Sequence, residues 1–157
     1  MPFGEIAPIV GRSPTAARQL ASRARRRVRG AEARRNADLT RQRAVVDAFL
    51  AAARAGDFDA LLAVLDPDVV YRADRAVVAA GTPEEIRGAP AVAQQFAGRA
   101  RGAQLALVNG AVGLVWAPGG RPRVVFGLTI TNGKIVAIDT VADPARLGQL
   151  DVAILSD

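Results

Sequence analysis

AQLALVNGAVGLVWAPGGRPRVVFGLTITNGKIVAIDTVA, residues 103–142, breaks into four apolar runs near 103–108, 111–117, 122–131 and 134–142. The breaks are Asn109-Gly110, Pro118-Gly119-Gly120 and Asn132-Gly133. Asn-Gly between apolar runs is the strongest short-range hairpin signal, because both turn residues accept positive φ. The spacing therefore predicts a four-stranded antiparallel meander. Val124, Phe126, Leu128 and Ile130 alternate with less bulky neighbours, the pattern of a sheet with one face against a helix.

Upstream of the meander the apolar period changes from two to between three and four. Val45, Val46, Phe49, Leu50 and Ala53 mark an amphipathic helix from about Leu39 to Ala55, capped by Asp38 and ended by Gly56. Phe58, Leu61, Leu62 and Leu65 predict a second, short helix closed by Asp66 and Pro67, and Val69, Val70 and Tyr71 begin a strand. Residues 74–87 read as a loop with a second short strand, 91–101 as a third helix and 144–150 as a terminal helix. Helices followed by a meander that wraps one of them predict an α+β cone.

The residue types restrict the chemistry. The chain has no cysteine and no histidine, which excludes disulfides, thiol nucleophiles, imidazole bases and the common zinc sets. No metal or cofactor is expected; acid–base work would fall to carboxylates, Tyr, Lys or Arg. No apolar run approaches the roughly 18 to 20 residues that span a bilayer, and the N-terminus lacks the pattern of a secretory signal. A cytoplasmic protein with no membrane partner is the expectation.

Charge is distributed unevenly. Residues 1–43 hold 11 Arg against Glu5, Glu32 and Asp38, a net of +8, whereas residues 44–157 carry ten basic and 12 acidic residues, a net of −2. Such asymmetry suggests a nucleic-acid-facing segment on a nearly neutral domain. From charge alone, a solvated basic tail is the alternative. Phe3, Ile6, Ala7, Ile9 and Val10 recur at helical spacing, then Gly11, Ser13 and Pro14 provide a turn, an N-cap and a first helical residue. A second helix is predicted over 14–29, with Ala17, Leu20, Ala21, Ala24 and Val28 on its apolar face. Arg18, Ser22, Arg25 and Arg29 form the opposite stripe, with Gln19, Arg23 and Arg26 beside it. This is the helix-turn-helix pattern, in which early Arg and Gln reach base edges and later Arg neutralise phosphates.

The stretch PFGEIAPIVGRSPTAARQLASRARRRVR, residues 2–29, resembles the end of region 4 in extracytoplasmic-function sigma factors: an aromatic, Glu-Ile-Ala, a Ser-Pro helix start and an Arg-rich helix with an RAR string at Arg23 to Arg25. The resemblance implies contact with the promoter −35 element by Arg18, Gln19, Ser22 and Arg23, with Arg25 and Arg26 alongside. It also implies RNA polymerase core as a partner. The remaining helices of region 4 and the whole of sigma region 2 are missing before Met1, so the chain is expected to be a fragment that binds DNA weakly by itself.

VVDAFLAAARAGDFDALLAVLDPDVV and NGKIVAIDTVADPARL carry a second resemblance, to the SnoaL-like branch of the nuclear-transport-factor-2-like superfamily, over about 39–155. A SnoaL-like domain also extends a group of these sigma factors. The expected organisation is a helix-turn-helix remnant at 1–30, a linker at 31–38 and an accessory domain at 39–157.

Cones of this superfamily include isomerases and cyclases that use a carboxylate base in an apolar cavity. Tyr71, Trp116 and Asp139, with Asp74, are the polar and aromatic candidates for such a pocket, but no acid–base pair appears at a telling spacing. The expectation is therefore not an enzyme, with a small-molecule-binding or isomerase-like domain as the alternative. The sigma-factor resemblance implies instead a regulatory contact through Asp143, Pro144, Ala145, Arg146 and Leu147, where relatives carry an Asn-Pro-Asp-Lys-Leu-type motif. An Asp-Gly-Gly-Gly-Lys motif of part of that group aligns near Asp74, where this chain reads Asp74-Arg75-Ala76. Asp143 and Pro144 also read simply as an N-cap and first turn. Pairing of two copies through the exposed sheet face is a further expectation.

Overall fold

The computed structural model describes residues 14–155, with side chains from Arg18 onward. The expected first helix, Phe3 to Val10, and the turn at Gly11 and Ser13 lie outside the described residues. By packing, the chain divides between Asp38 and Leu39 into two compact units.

One helix, α1 (Pro14–Ala55), crosses that division and replaces the expected pair of helices with their linker. The stretch 31–38 read as a linker is helical. Its physical reason lies in the residues themselves: Ala31, Glu32, Ala33, Arg34 and Arg35 are all strong helix formers. They outweigh Gly30, whose cost in a helix interior is only about 1 kcal/mol. Gly56, at φ +67°, ends α1, and the Asp57 N–H returns to the Ala52 carbonyl at 2.9 Å.

In the second unit, Asp57 caps α2 (Phe58–Val64) by accepting from the Ala60 N–H. Strand β1 (Leu65–Ala73) follows at once, with an irregularity between Leu65 and Val70 where Asp66 and Pro67 fall. The ambiguous region contains α3 (Arg75–Ala79) and β2 (Glu85–Arg87). Helix α4 (Ala89–Phe96) is shorter than expected, because the chain turns at Gly98 with φ +75°.

The meander forms as the turn residues predict: β3 (Ala103–Val108), β4 (Ala111–Trp116), β5 (Val124–Thr131) and β6 (Lys134–Val141). Asn109, Gly110, Asn132 and Gly133 all have positive φ, as two-residue hairpin turns of this kind require. Helix α5 is a single turn (Pro144–Leu147), ending before the expected 150, and a three-residue strand β7 (Val152–Ile154) was not foreseen. The order across the curved sheet is β2-β1-β6-β5-β4-β3-β7, with β1 and β6 parallel and every other pair antiparallel.

Helices α1, α2 and α4 contribute to the main core on one face of this sheet, giving the expected α+β class. Val46, Phe49, Leu50 and Ala53 of α1, Leu61 of α2 and Val92, Ala93 and Phe96 of α4 join Val69, Leu105, Leu114, Ile135 and Ile138 in the main core. Phe96 meets Phe49, Tyr71 and Phe126 edge-on, with ring centroids 5.2, 5.6 and 6.0 Å away. The one-faced reading of β5 needs correction. Val125 is buried on the opposite face with Ala106 and Val115, where Leu147, Leu150 and Val152 cover them.

Gly113 is the tightest point of the meander, since a Cβ there would lie 2.6 Å from the Phe126 carbonyl oxygen. Gly113→Ala is therefore expected to destabilise the chain by about 1–3 kcal/mol through overpacking. Urea denaturation followed by circular dichroism checks this, and an unchanged midpoint would refute it.

Candidate functional site

The N-terminal candidates sit on α1. Arg18, Gln19, Arg23, Arg25 and Arg26 are exposed and Ser22 is half-buried. None of the four arginines forms a salt bridge with a described residue. Helical periodicity places Arg18, Ser22 and Arg25 in one line along the axis, with Arg26 beside it. On the apolar side Ala21 and Ala24 are exposed and Val28 is 58 % exposed, whereas Leu20 is half-buried. The stripe thus presents long, unneutralised donors, the arrangement that exchanges counterions with a phosphate backbone.

The C-terminal candidates are organised by Asp74. Its side chain is only 4 % exposed. Oδ1 accepts from the Val77 N–H at 3.0 Å and thereby caps α3. Oδ2 accepts from the Ala142 and Asp143 N–H groups, both at 2.8 Å, and lies 3.8 Å from the Arg146 guanidinium. Burial alone would raise the Asp74 pKa, but the donations from Asp143, Val77 and Ala142, with Arg146 nearby, outweigh it and hold the carboxyl below its ordinary range. Asp143 in turn caps α5 by accepting from the Arg146 N–H at 3.1 Å. The turn Asp143–Leu147 lies between two open hollows. One, of about 760 Å³, is lined by Asp74, Arg75, Glu84, Asp143 and Arg146. The other, of about 530 Å³, is lined by Arg121, Arg123, Pro144 and Leu147.

A third feature is a cavity of about 300 Å³ between α3, α4 and the sheet, walled by Val77, Phe96 and Phe126 around Tyr71 and Thr140. Burial pushes the Tyr71 phenol above its ordinary pKa, the Thr140 hydroxyl opposes this, and the Asp74 charge adds to it. Tyr71 and Thr140 face each other without meeting hydrogen-bond geometry. The Thr140 hydroxyl is near enough to ease ionisation of the phenol, yet Thr140 Oγ1 has no hydrogen-bond partner among the described residues. The pair is a contact of dipoles and not a formed bond. No carboxylate lines this cavity.

No family model matches the chain. It is 36 % identical to the extracytoplasmic-function RNA polymerase sigma factor SigJ of Mycobacterium tuberculosis, over 93 % of this chain and 52 % of SigJ. It is 35 % identical to the probable sigma factor SigI of the same organism, over 96 % of this chain and 51 % of SigI. The crystal structure of SigJ superposes with a TM-score of 0.53 at 32 % identity, covering 92 % of this chain and 54 % of SigJ. A nuclear-transport-factor-2-like protein of unknown function from Burkholderia xenovorans matches with a TM-score of 0.47 at 23 % identity, covering 67 % of this chain and 85 % of that protein. The chain is a homologue of extracytoplasmic-function sigma factors. It spans about half the length of the curated relatives it matches.

In this sigma-factor homologue the pocket candidates do not come together as expected. Tyr71 lines the 300 Å³ cavity. Trp116, 46 % exposed, lines a neighbouring hollow that shares Arg99, Ala100, Val124 and Phe126 with it. Asp139 lies on the other face of β6, where it pairs with Arg72 at 3.9 Å, and it lines neither space. Strand alternation explains the swap: Ile138 and Thr140 are buried, so Asp139 between them must face away. Thr140 was missed in the sequence, although the same alternation could have found it. Asp74 carried a signal too, as a polar residue ahead of a short apolar run, but its second partner is 68 residues away.

Asp74→Ala removes a cap and leaves the Ala142 and Asp143 N–H groups without their acceptor, so a loss of about 2–4 kcal/mol is expected. Because the folded pKa is depressed, this stabilisation is present above the ordinary carboxylate pKa, about 4, and fades as pH falls through the folded value. Denaturation midpoints of the wild type and Asp74→Ala should therefore converge in acid. A gap that stays constant below pH about 4 would show that the carboxylate charge is not responsible.

Proposed function

We propose that this chain is the promoter-contacting and regulatory part of a sigma factor acting in bacterial transcription initiation. Arg18, Gln19, Ser22 and Arg23 contact −35 promoter DNA, and Arg25 and Arg26 neutralise its phosphates. The observation that carries this reading is 36 % identity to SigJ over 93 % of the chain, and the exposed arginine stripe on α1 supports it. RNA polymerase core and the sigma region 2 of the whole protein are the proposed protein partners, in the cytoplasm. Among the described residues, no helix is long and apolar enough to cross a membrane.

Asp143, Pro144, Arg146 and Leu147 form the proposed regulatory contact. The support is mechanical. The Asp74 carboxylate ties this turn to the start of α3; residues of the turn line two hollows, and the Arg146 side chain is 58 % exposed. Catalysis is not part of the proposal. An isomerase-like cone needs a carboxylate facing its substrate. Here Asp74 is occupied by three N–H donors and Asp139 pairs with Arg72 outside the cavity.

In the sigma factor that carries this segment, Arg25→Ala should weaken all DNA sequences alike and lower the slope of log affinity against log salt by about 1. Gln19→Ala should instead lower discrimination between −35 sequences by about 1–3 kcal/mol. Fluorescence anisotropy across a salt series distinguishes the two, and an affinity unchanged in both variants would refute the DNA contact.

Arg146→Ala leaves the backbone cap of α5 intact and removes one partly exposed ion pair, so its cost in stability should stay below about 1 kcal/mol. Run-off transcription should nevertheless change several-fold. Unchanged transcription with an unchanged melting temperature would refute the regulatory contact.

A further inference from the structure

The second unit is nearly neutral in total, but its charges are segregated. Residues 86–138 contain Arg87, Arg99, Arg101, Arg121, Arg123 and Lys134 and no acidic residue. Arg87 is paired with Glu85, and the Lys134 ammonium donates to the Ala63 carbonyl. The other four arginines are exposed and form no salt bridge with a described residue. The strand ladder brings them to one end of the sheet. Ala103 at the start of β3, Trp116 at the end of β4 and Val124 at the start of β5 are neighbours in register. Arg99 and Arg101 precede β3 and Arg121 and Arg123 precede β5, so Trp116 stands between two pairs of cations carried on strands about 10 Å apart. Arg123 donates its backbone N–H to the Trp116 carbonyl at 2.9 Å, and Arg99 lines one hollow with the indole.

Trp116 is 46 % exposed, and Gly102 keeps its ring uncovered. A Cβ at Gly102 would stand 3.0 Å from Cδ1 and Nε1 of the indole. A flat aromatic surface held in water between unneutralised guanidinium groups is matched by a partner that offers both a stacking face and anions. An acidic peptide supplies the anions and leaves the ring wet. A duplex also supplies anions, but its bases are already stacked on one another. A single strand of nucleic acid supplies both, since its bases are free to stack and its phosphates follow one another along the backbone. We propose that this rim of the sheet binds single-stranded nucleic acid, with one base stacked on Trp116 and the phosphates on either side neutralised by Arg99, Arg101, Arg121 and Arg123. Stacking and phosphate contact read neither base edges nor the 2′-hydroxyl, so RNA and DNA strands share this chemistry. The promoter contact of α1 is not required for it.

Trp116 is the chain's single tryptophan, so quenching of its emission by a stacked base reads binding at this place even where α1 also binds. The probes are oligothymidylate and oligouridylate of about 12 nucleotides, within the span of a single strand-binding module, compared with a duplex of the same length and with polyglutamate. Saturable quenching by the two single strands is expected, with little by the duplex or by polyglutamate. The tighter of the two strands identifies whether the rim takes DNA or RNA. Fluorescence anisotropy of labelled oligothymidylate tests the residues, in a background carrying Arg18→Gln, Arg23→Gln, Arg25→Gln and Arg26→Gln to weaken competition from α1. Adding Arg121→Gln with Arg123→Gln should lower the slope of log affinity against log salt by about 1.4, because each phosphate neutralised on a single strand contributes about 0.7. Adding Trp116→Ala instead should weaken binding roughly 10-fold at constant slope, the loss of one stacked base. Absence of quenching, quenching by polyglutamate or duplex as strong as by the single strands, or a Trp116→Ala variant that binds as tightly as its parent would overturn the site.

Discussion

A single buried carboxylate joins the parts of the second unit that carry its candidate functions. Asp74 lies at the end of β1, and its two oxygens accept from the first turn of α3 and from the chain leaving β6. The charge survives burial because three N–H dipoles and a guanidinium are aimed at it. Those same donors would be orphaned without it, so helix start and regulatory turn are held by one group. The parallel pairing of β1 with β6 makes this geometry available, since both strands end side by side at the same edge of the core.

Packing works around Phe96 in a similar way. One ring touches an aromatic from α1, from β1 and from β5, so α4 is fixed against both the long helix and the sheet. Edge-on contacts of this kind are each worth about 0.5–1.5 kcal/mol beyond area burial. Beside these rings is the cavity of about 300 Å³, lined by Tyr71 of β1, Phe126 of β5 and Thr140 of β6.

Charge and core are kept apart along the chain. The arginines of α1 carry no burial cost because their helix face is exposed through residue 38, whereas α1 beyond Leu39 turns Val46, Phe49 and Leu50 into the core. A single helix thus changes from a solvated, basic surface to a buried, apolar one without any break in its hydrogen bonding. Gly30 and the charged residues after it looked like a boundary in composition, but the backbone had no reason to stop there.

Elements whose signals are local follow from the residues of the chain alone. The Asn-Gly turns demand positive φ at both residues and therefore set the hairpins and the strand order of the meander. Gly56 likewise ended α1, and the arginine spacing set the basic stripe. The resemblance read from residues 2–29 agrees with the 36 % identity to SigJ over 93 % of the chain. Contacts between residues far apart in the chain are set by packing. Asp74 meets Ala142 and Asp143, Thr140 turns inward while Asp139 turns out, and the segment after α5 covers Val125. These outcomes follow from the register between β1 and β6 and from the second layer over the sheet. Neither leaves a periodic trace in the chain, because the contacts that fix them are made between strands and not along them.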